Sequence, residues 1–428
     1  MDSLFQNVLD GIFSAAFLAA ILRVTTPILL PSLGALISDR AGVINIGLEG
    51  TMLIAAFAGV IFSAYGRDWW GDSVWLPWFG LAMALLLGVL TGLLLGFFHL
   101  RLKADLILSG IAINFLGSAG TIAIMYEITG SRGNTGGILN NPVMPFIQLP
   151  EFMKDVPVLS FFFKIFDNQS VMTWIAFGSV IAVWYLMYRT PVGMHLRAVG
   201  ENPEAAASVG IRVQRTRYLA LALSGFLAAL GGVHMSMGYL TFFERDMTSG
   251  RGFIALATPY LGGGHPIGTG FASLIFGFFD AISTRIGSLA IPSQLPQMLP
   301  FIATVMALVI YALQSRLTVR VRTLRSAEGE DFDASFWGAI QRLSVLHMFL
   351  AMLAVSGLIV TVSMFSAPDG FQDLGTDWEN QDVFMYAIGI GLASLVLIGS
   401  NLPFMLNVER IGRQVWFSAA AAGVSLWL

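Results

Sequence analysis

Asn45 and Glu49 stand four residues apart at the mouth of an apolar run, inside DRAGVINIGLEGTMLIAAFAG at residues 39–59. On a helix that spacing puts both side chains on one face. An amide and a carboxylate so placed can hydrogen-bond a polar molecule moving past them, or grip a neighbouring helix. A carboxylate inside an apolar segment is costly and marks a candidate functional position. Gly42, Gly47 and Gly50 punctuate the stretch as at a helix entry that lines or gates a path. The same residues equally fit a helix-packing site, with glycines giving close approach and Glu49 paired to Arg40 or a backbone amide. Asn114 is the third candidate, in the apolar segment 104–126 with Ser109, Ser118 and Thr121. Hydrogen bonding between helices accounts for such residues; a role for Asn114 in a solute path is the sharper alternative. His234 follows Gly231 and Gly232 in another apolar run and reads as a packing residue. Asp280 and Arg285 fall at a helix end, where they pair or snorkel.

Covalent chemistry has no candidates. No carboxylate–histidine spacing resembles a metal site, and the absence of cysteine excludes disulfides and thiolate ligands. The glycine run LGGGHPIGTG at 261–270 could cradle phosphate, but the Lys-Ser/Thr of a P-loop does not follow it. The three lysines, Lys103, Lys154 and Lys164, lie in no such motif. No cofactor or metal is expected, and any ATPase driving this chain must be another polypeptide.

A second kind of chemistry is mechanical. Residues 189–217 form a basic loop between apolar segments, with Arg189, Arg197, Arg212, Arg215, Arg217 and His195 against Glu201 and Glu204. Inside it Asn202 is a good N-cap, Pro203 suits the first helical position and Glu204 suits the positive helix end. Ala205, Ala206 and Ala207 follow, and Gly210 can close the helix. A short capped helix of small residues on a membrane protein's cytoplasmic face is a docking surface for a partner that pushes on it. The plain alternative is a solvated basic turn.

The elements that must position these residues follow from composition. Of 428 residues, 56% are hydrophobic and 11% charged, against about 25% charged in soluble domains. Several apolar runs reach the roughly 20 residues needed to cross a bilayer. The fold class is therefore all-α: a polytopic transmembrane helical bundle, multi-pass, with membrane lipid as its solvent. The formal net charge of −3 says little about partners, because the charges are segregated into loops; no nucleic-acid partner is expected. The N-terminus lacks the basic region of a cleavable signal.

Apolar segments fall at 8–38, 51–66, 75–98, 104–126, 170–188, 218–240, 252–264, 267–284, 297–315, 343–366, 383–406 and 414–428. Arg23, Pro27 and Pro31 predict a kink or break in the first. Segment 252–264 is short and ends in Gly262-Gly263-Gly264, so the bundle should contain at least one broken or half helix, tolerated only where protein or a cavity satisfies its backbone. Basic residues at 101–103, 189–217 and 316–325 mark the cytoplasmic side; 127–169 and the acidic 367–382 fit the outside. The count of crossings then needs 252–264 and 267–284 each to traverse most of the membrane and puts the N-terminus outside. Composition changes near Ser326, from basic to acidic, dividing a body at 1–325 from a membrane extension at 326–428. Segment 414–428 is short for a span, and a truncated C-terminus is expected.

Four stretches in order, RAGVINIGLEG at 40–50, GENPEAAASVGI at 200–211, RGFIALATPYLGGGHPIGT at 251–269 and IPSQLPQMLP at 291–300, resemble the permease subunits of bacterial ABC importers. The likeness is to the branched-chain amino acid/ribose permease superfamily, in its nucleoside or simple-sugar branch, and covers roughly residues 8–322. It implies a plasma-membrane protein that imports a small polar solute, most readily a nucleoside or purine. Its implied partners are a cytoplasmic ABC ATPase, a second permease subunit and an extracytoplasmic solute-binding lipoprotein. Glu201, Asn202, Pro203, Glu204, Ala205, Ala206 and Gly210 would belong to the helix seated in the ATPase, transmitting its closure to the bundle. Asn45, Glu49 and Asn114 are the candidates for the solute path. The resemblance leaves 326–428 unexplained. Rival readings are a simple-sugar or branched-chain amino acid permease, an ion- or proton-coupled secondary transporter using Glu49, and a non-transporting scaffold.

Overall fold

A computed structural model describes residues 15–136, 139, 143–149 and 163–286. The chain divides into two compact units, residues 2–278 and residues 279–428 with Met1, and the first holds the elements discussed below up to residue 278. The expectations for the N-terminus, for the last four apolar segments and for the boundary at 325/326 fall outside the described residues, as does the side chain of Arg285.

Hydrocarbon offers backbone groups no partner, so apolar runs become helices. They are α1 (Ala15–Arg40), α2 (Leu48–Trp70), α3 (Leu76–Gly96), α4 (Leu106–Thr129), α5 (Val171–Arg189), α6 (Pro191–Glu201), α7 (Pro203–Ser208), α8 (Val213–Val233), α9 (Arg251–Leu261) and α10 (Pro266–Ile286). Wide π turns extend α3 through Phe97–Arg101 and α8 through His234–Tyr239. Among the described residues seven helices are long and apolar enough to cross a membrane: α1 to α5, α8 and α10. The described strands are β1 (Phe146–Ile147) and β2 (Gln169–Ser170), paired antiparallel beside the start of α5. The expected all-α membrane bundle is what forms.

Helix α8 is the centre. It packs on α1, α2 and α3, and 78% of its apolar window is buried, against 28% for α4 and α5 at the periphery. A Cβ on Gly225 would overlap the Gly88 carbonyl, so the backbones of α3 and α8 meet directly. Lipid is as apolar as leucine, so helices associate through close packing of small residues of this kind.

Of the kink or break expected in α1, the break does not occur: the helix runs continuously with Pro27 and Pro31 inside it. Both prolines are buried, and Ser32 Oγ and Thr26 Oγ1 donate to the Ile28 and Leu22 carbonyls at 2.6 and 2.9 Å. The carbonyls left without a helical N–H by Pro27 and Pro31 are those of Arg23 and Pro27, so packed neighbours, not these hydroxyls, let α1 carry its prolines. Arg23 Nε donates to Gln169 Oε1 at 3.2 Å, and the Arg23 carbonyl lies 3.1 Å from His234 Nε2. His234 is fully buried there as a packing residue.

The half helix is α9. Its 11 residues rise about 16 Å, half of a roughly 30 Å hydrocarbon core. The rest of that passage is non-helical, through residues 240–250. Phe243 packs edge-on against Phe57, midway along α2, with ring centroids 5.2 Å apart, so this connection dips into the bundle.

The ends of α1, α5, α6 and α9 meet on one side. Arg40 reaches Gly264, Tyr188 and His265 rings lie 5.0 Å apart, and a Cβ on Gly200 would overlap the Arg40 carbonyl. This end carries the arginines of the 189–217 loop, which by the excess of positive charge is the cytoplasmic side. The other ends of α2 and α3 carry exposed Trp69, Trp70 and Trp75, the residues that favour a membrane–water interface.

Candidate functional site

The site is built on the elbow between α1 and α2. After Arg40 the chain leaves the helix through a turn in which Gly42 N–H donates to the Asp39 carbonyl at 2.9 Å, with Gly42 at φ +72°. Asn45 then organises the elbow. Its backbone N–H reaches Ser38 Oγ at 3.3 Å, its Oδ1 accepts from Gly47 N–H at 3.1 Å, and its Nδ2 donates to Ser224 Oγ on α8 at 3.0 Å. Asn45 is buried, and this one amide fixes the loop to itself and to the central helix.

Helix α2 begins with Gly47 as N-cap, which has no side chain to satisfy the first-turn N–H groups. Asn114 supplies the missing cap from α4. Its Oδ1 accepts from Gly50 N–H at 2.8 Å, and its Nδ2 donates to the Ile46 carbonyl at 3.0 Å. The approach is close enough that a Cβ on Gly50 would overlap the Ile113 carbonyl.

Helix α9 repeats the arrangement. Its N-cap, Gly250, is in the left-handed region at φ +77° and likewise offers no side chain. Glu49 caps it from α2. Oε1 accepts from Thr248 Oγ1 at 2.6 Å and from Gly250 N–H at 2.7 Å, and Oε2 accepts from Gly252 N–H at 2.6 Å. A negative charge at a helix N-terminus interacts favourably with the macrodipole, and hydrogen bonds to an ionised group are the strong ones. Arg40 holds the opposite end of α9, where Nε and Nη2 donate to the Gly264 carbonyl at 3.0 and 2.5 Å. Tyr260 OH donates to Asp39 Oδ1 at 3.1 Å. The elbow thus grips the half helix at both ends, acid at the N-terminus and base at the C-terminus.

The three polar candidates read from the sequence therefore converge on residues 45–50. Each is spent on hydrogen bonds between elements. The sequence reading missed the connection before α9. Thr135 N–H donates to the Phe243 carbonyl at 2.9 Å, and Arg245 N–H donates to the Gly133 carbonyl at 2.9 Å. Ser118 Oγ, midway along α4, donates to Asp246 Oδ1 at 2.7 Å. Asp246 and Ser249 hold positive φ, +53° and +45°, uncommon for residues with a Cβ. The charged triplet Glu244, Arg245 and Asp246 between two apolar runs signals a loop, but no local pattern links Thr248 or Asp246 to partners more than a hundred residues away.

At the basic end, the loop 189–217 folds into two helices where the sequence signalled one. Thr190 caps α6 through Gly193 N–H at 3.2 Å. Asn202 caps α7, its Oδ1 accepting from Glu204 and Ala205 N–H at 3.1 and 3.0 Å, with Pro203 at the first position. Gly210, at φ +88°, and Ile211 close α7, their N–H groups donating to the Ala207 and Ala206 carbonyls, both at 3.0 Å. Ala206 is buried against the bundle; Glu201, Asn202, Glu204, Ala205, Ala207, Ser208 and Val209 are exposed. The helix stands with one residue anchored and its small-residue surface free.

A membrane bundle with a half helix gripped at both ends, and a capped two-helix element on its basic face, has the design of a transporter's membrane subunit. Residues 17–319 match the family described as branched-chain amino acid transport system / permease component, and the chain belongs to that family of ABC transporter permeases. It is 37% identical over 297 residues to the guanosine ABC transporter permease protein NupQ of Bacillus subtilis, covering 68% of this chain and 89% of NupQ. It is 32% identical over 298 residues to the nucleoside ABC transporter permease protein NupC of Lactococcus lactis, covering 68% and 91%. It is 30% identical over 279 residues to the putative glucose ABC transporter permease protein TsgC13 of Haloferax volcanii, covering 65% and 80%. No solved structure matches. The chain is thus a multi-pass membrane permease subunit, as its motifs implied.

Proposed function

We propose that this permease imports nucleosides, guanosine among them, as one of two permease subunits driven by a cytoplasmic ABC ATPase and fed by an extracytoplasmic binding lipoprotein. The names borne by its relatives in Bacillus and Lactococcus support the solute class. The observation that carries the coupling is α7: capped by Asn202, anchored by Ala206 and exposed along Glu204, Ala205 and Val209 at the basic end. A rigid helix of that kind can receive a push from a docked partner and pass it to α6 and α8, on which it rests. In this reading Asn45, Glu49 and Asn114 serve the solute path by holding the helices that form it. The family match ends at residue 319, which supports a transport body at 1–325 and an extension at 326–428; a chain lacking 326–428 retains uptake.

The test is uptake of labelled guanosine by cells lacking the gene, complemented with this chain and its partner subunits. Import should disappear when ATP is depleted and survive collapse of the proton gradient. The reverse pattern would favour proton coupling. The putative glucose permease among the relatives supports a second reading, so glucose is the competitor: inhibition by glucose but not by inosine would move the assignment to a sugar.

A further inference from the structure

We propose that Asp246, with Ser118, faces a water-filled path halfway through the membrane and offers a hydrogen-bond acceptor to the solute crossing there. The inference rests on the transport reading above and adds to it a solute-facing group.

Three observations combine. The first is depth. Ser118 stands near the middle of α4 (Leu106–Thr129) and holds Asp246 Oδ1 at 2.7 Å. Two residues further on, Thr248 holds Glu49 on the first turn of α2, and Phe243 packs on Phe57, midway along that helix. The carboxylate is therefore inside the span of the helices, not beyond their ends. The second is exposure. The Asp246 side chain is 57% exposed, and Arg245 Nε, itself exposed, lies 3.9 Å from it. A carboxylate at that depth that is neither buried nor tightly paired cannot face hydrocarbon; intramembrane acids face a bundle interior or a water-filled cavity. The third is the backbone. Residues 240–250 are non-helical at this depth, and irregular backbone there survives only where protein covers it or where it lines such a cavity.

The chemistry follows from the atoms. An ionised carboxylate only accepts hydrogen bonds. Ser118 takes one position on Oδ1, leaving the remaining lone pairs for a ligand's O–H or N–H donors. A neutral solute rich in such donors, as a purine nucleoside is, fits this wall. A purely apolar or an acidic solute does not.

The chain's lack of cysteine gives a clean test. In cells carrying the complete transporter, Asp246→Cys, Ser118→Cys and Ile181→Cys are treated with a membrane-impermeant, charged thiol reagent. Ile181 is the control: it is midway along α5, 69% exposed and apolar. A thiol reacts as its thiolate, which requires water, so labelling at 246 and 118 should be at least about tenfold faster than at 181. Saturating guanosine should slow it. Ser118→Cys, nearly isosteric, keeps the test alive if Asp246→Cys fails to assemble. Absence of labelling at both positions, while Asp72→Cys at the exposed outer end reacts, overturns the proposal. So does equal labelling at Ile181→Cys, because mid-depth would then be wet everywhere. Labelling that guanosine leaves unchanged, in cells that import guanosine, overturns the solute contact. Failure of wild-type cells to import guanosine would instead reject the nucleoside reading.

Discussion

Glu49 Oε2 accepts the backbone N–H of Gly252 at 2.6 Å, joining the second residue of α2 to the first turn of the half helix α9. The contact is possible only because residue 252 has no side chain. A Cβ there would stand 2.6 Å from the Glu49 nitrogen and 2.7 Å from its Cα. A helix that starts inside a membrane exposes donors that lipid cannot satisfy, so some group must be carried to them. Here a neighbouring helix carries it.

Glu49→Gln is expected to weaken this grip. The amide replaces one acceptor with a donor facing backbone N–H groups, and a hydrogen bond to a charged group contributes about 1.5–3 kcal/mol. Thermal unfolding of the purified chain in detergent should show a loss of that order, with guanosine uptake falling alongside. Gly252→Ala should reproduce both effects while keeping the carboxylate. An unchanged melting midpoint for both variants would remove Glu49 as the clasp.

Asn114→Leu and Asn45→Ala should each be about as damaging as Glu49→Gln. The leucine leaves the Gly50 N–H and the Ile46 carbonyl without the Asn114 amide, and an unsatisfied buried polar group costs about 1–3 kcal/mol. Asn114→Asp keeps the acceptor for Gly50 and should recover part of the stability in the same unfolding measurement.

Glu204→Arg combined with Ala205→Trp should abolish ATP-driven uptake while membrane insertion stays normal, because both side chains lie on the exposed surface of α7. Asn202→Ala removes a cap worth about 1 kcal/mol and should give a partial loss. Immunoblots of membranes and uptake rates separate the two quantities, and normal uptake in the double variant would reject α7 as the coupling element.

Gly200→Val tests the link between the coupling helices and the elbow. Any Cβ at residue 200 overlaps the Arg40 carbonyl, so α6 must shift away from the turn that carries Arg40. Uptake should drop sharply with the chain still in the membrane. Retention of full uptake would show that α6 and the elbow move independently.

The amino-acid sequence determined by itself what hydrocarbon and local geometry dictate. Apolar length set the helices, loop arginines set the cytoplasmic face, and Asn202, Pro203 and Gly210 marked α7, because a cap and its helix are neighbours in the chain. Gly262 to Gly264 signalled that the segment before them was short. Pro27 and Pro31 allowed a kink or a break and no break occurs, since what lets α1 continue comes from packing: the Arg23 carbonyl that Pro27 leaves without an N–H lies 3.1 Å from His234 Nε2, 211 residues away. Asn45, Glu49 and Asn114 were visible as polar groups in apolar surroundings, but their partners were not: Ser224, Thr248, Gly250, Gly252 and Gly50 lie 64 to 203 residues away. Only the tertiary structure decided that Glu49 caps α9, that Asn114 caps α2 and that Asp246 meets Ser118. A hydrogen bond forms between groups brought within about 3 Å, and in a bundle of long helices that proximity is set by which helices pack together, not by where their residues stand in the chain.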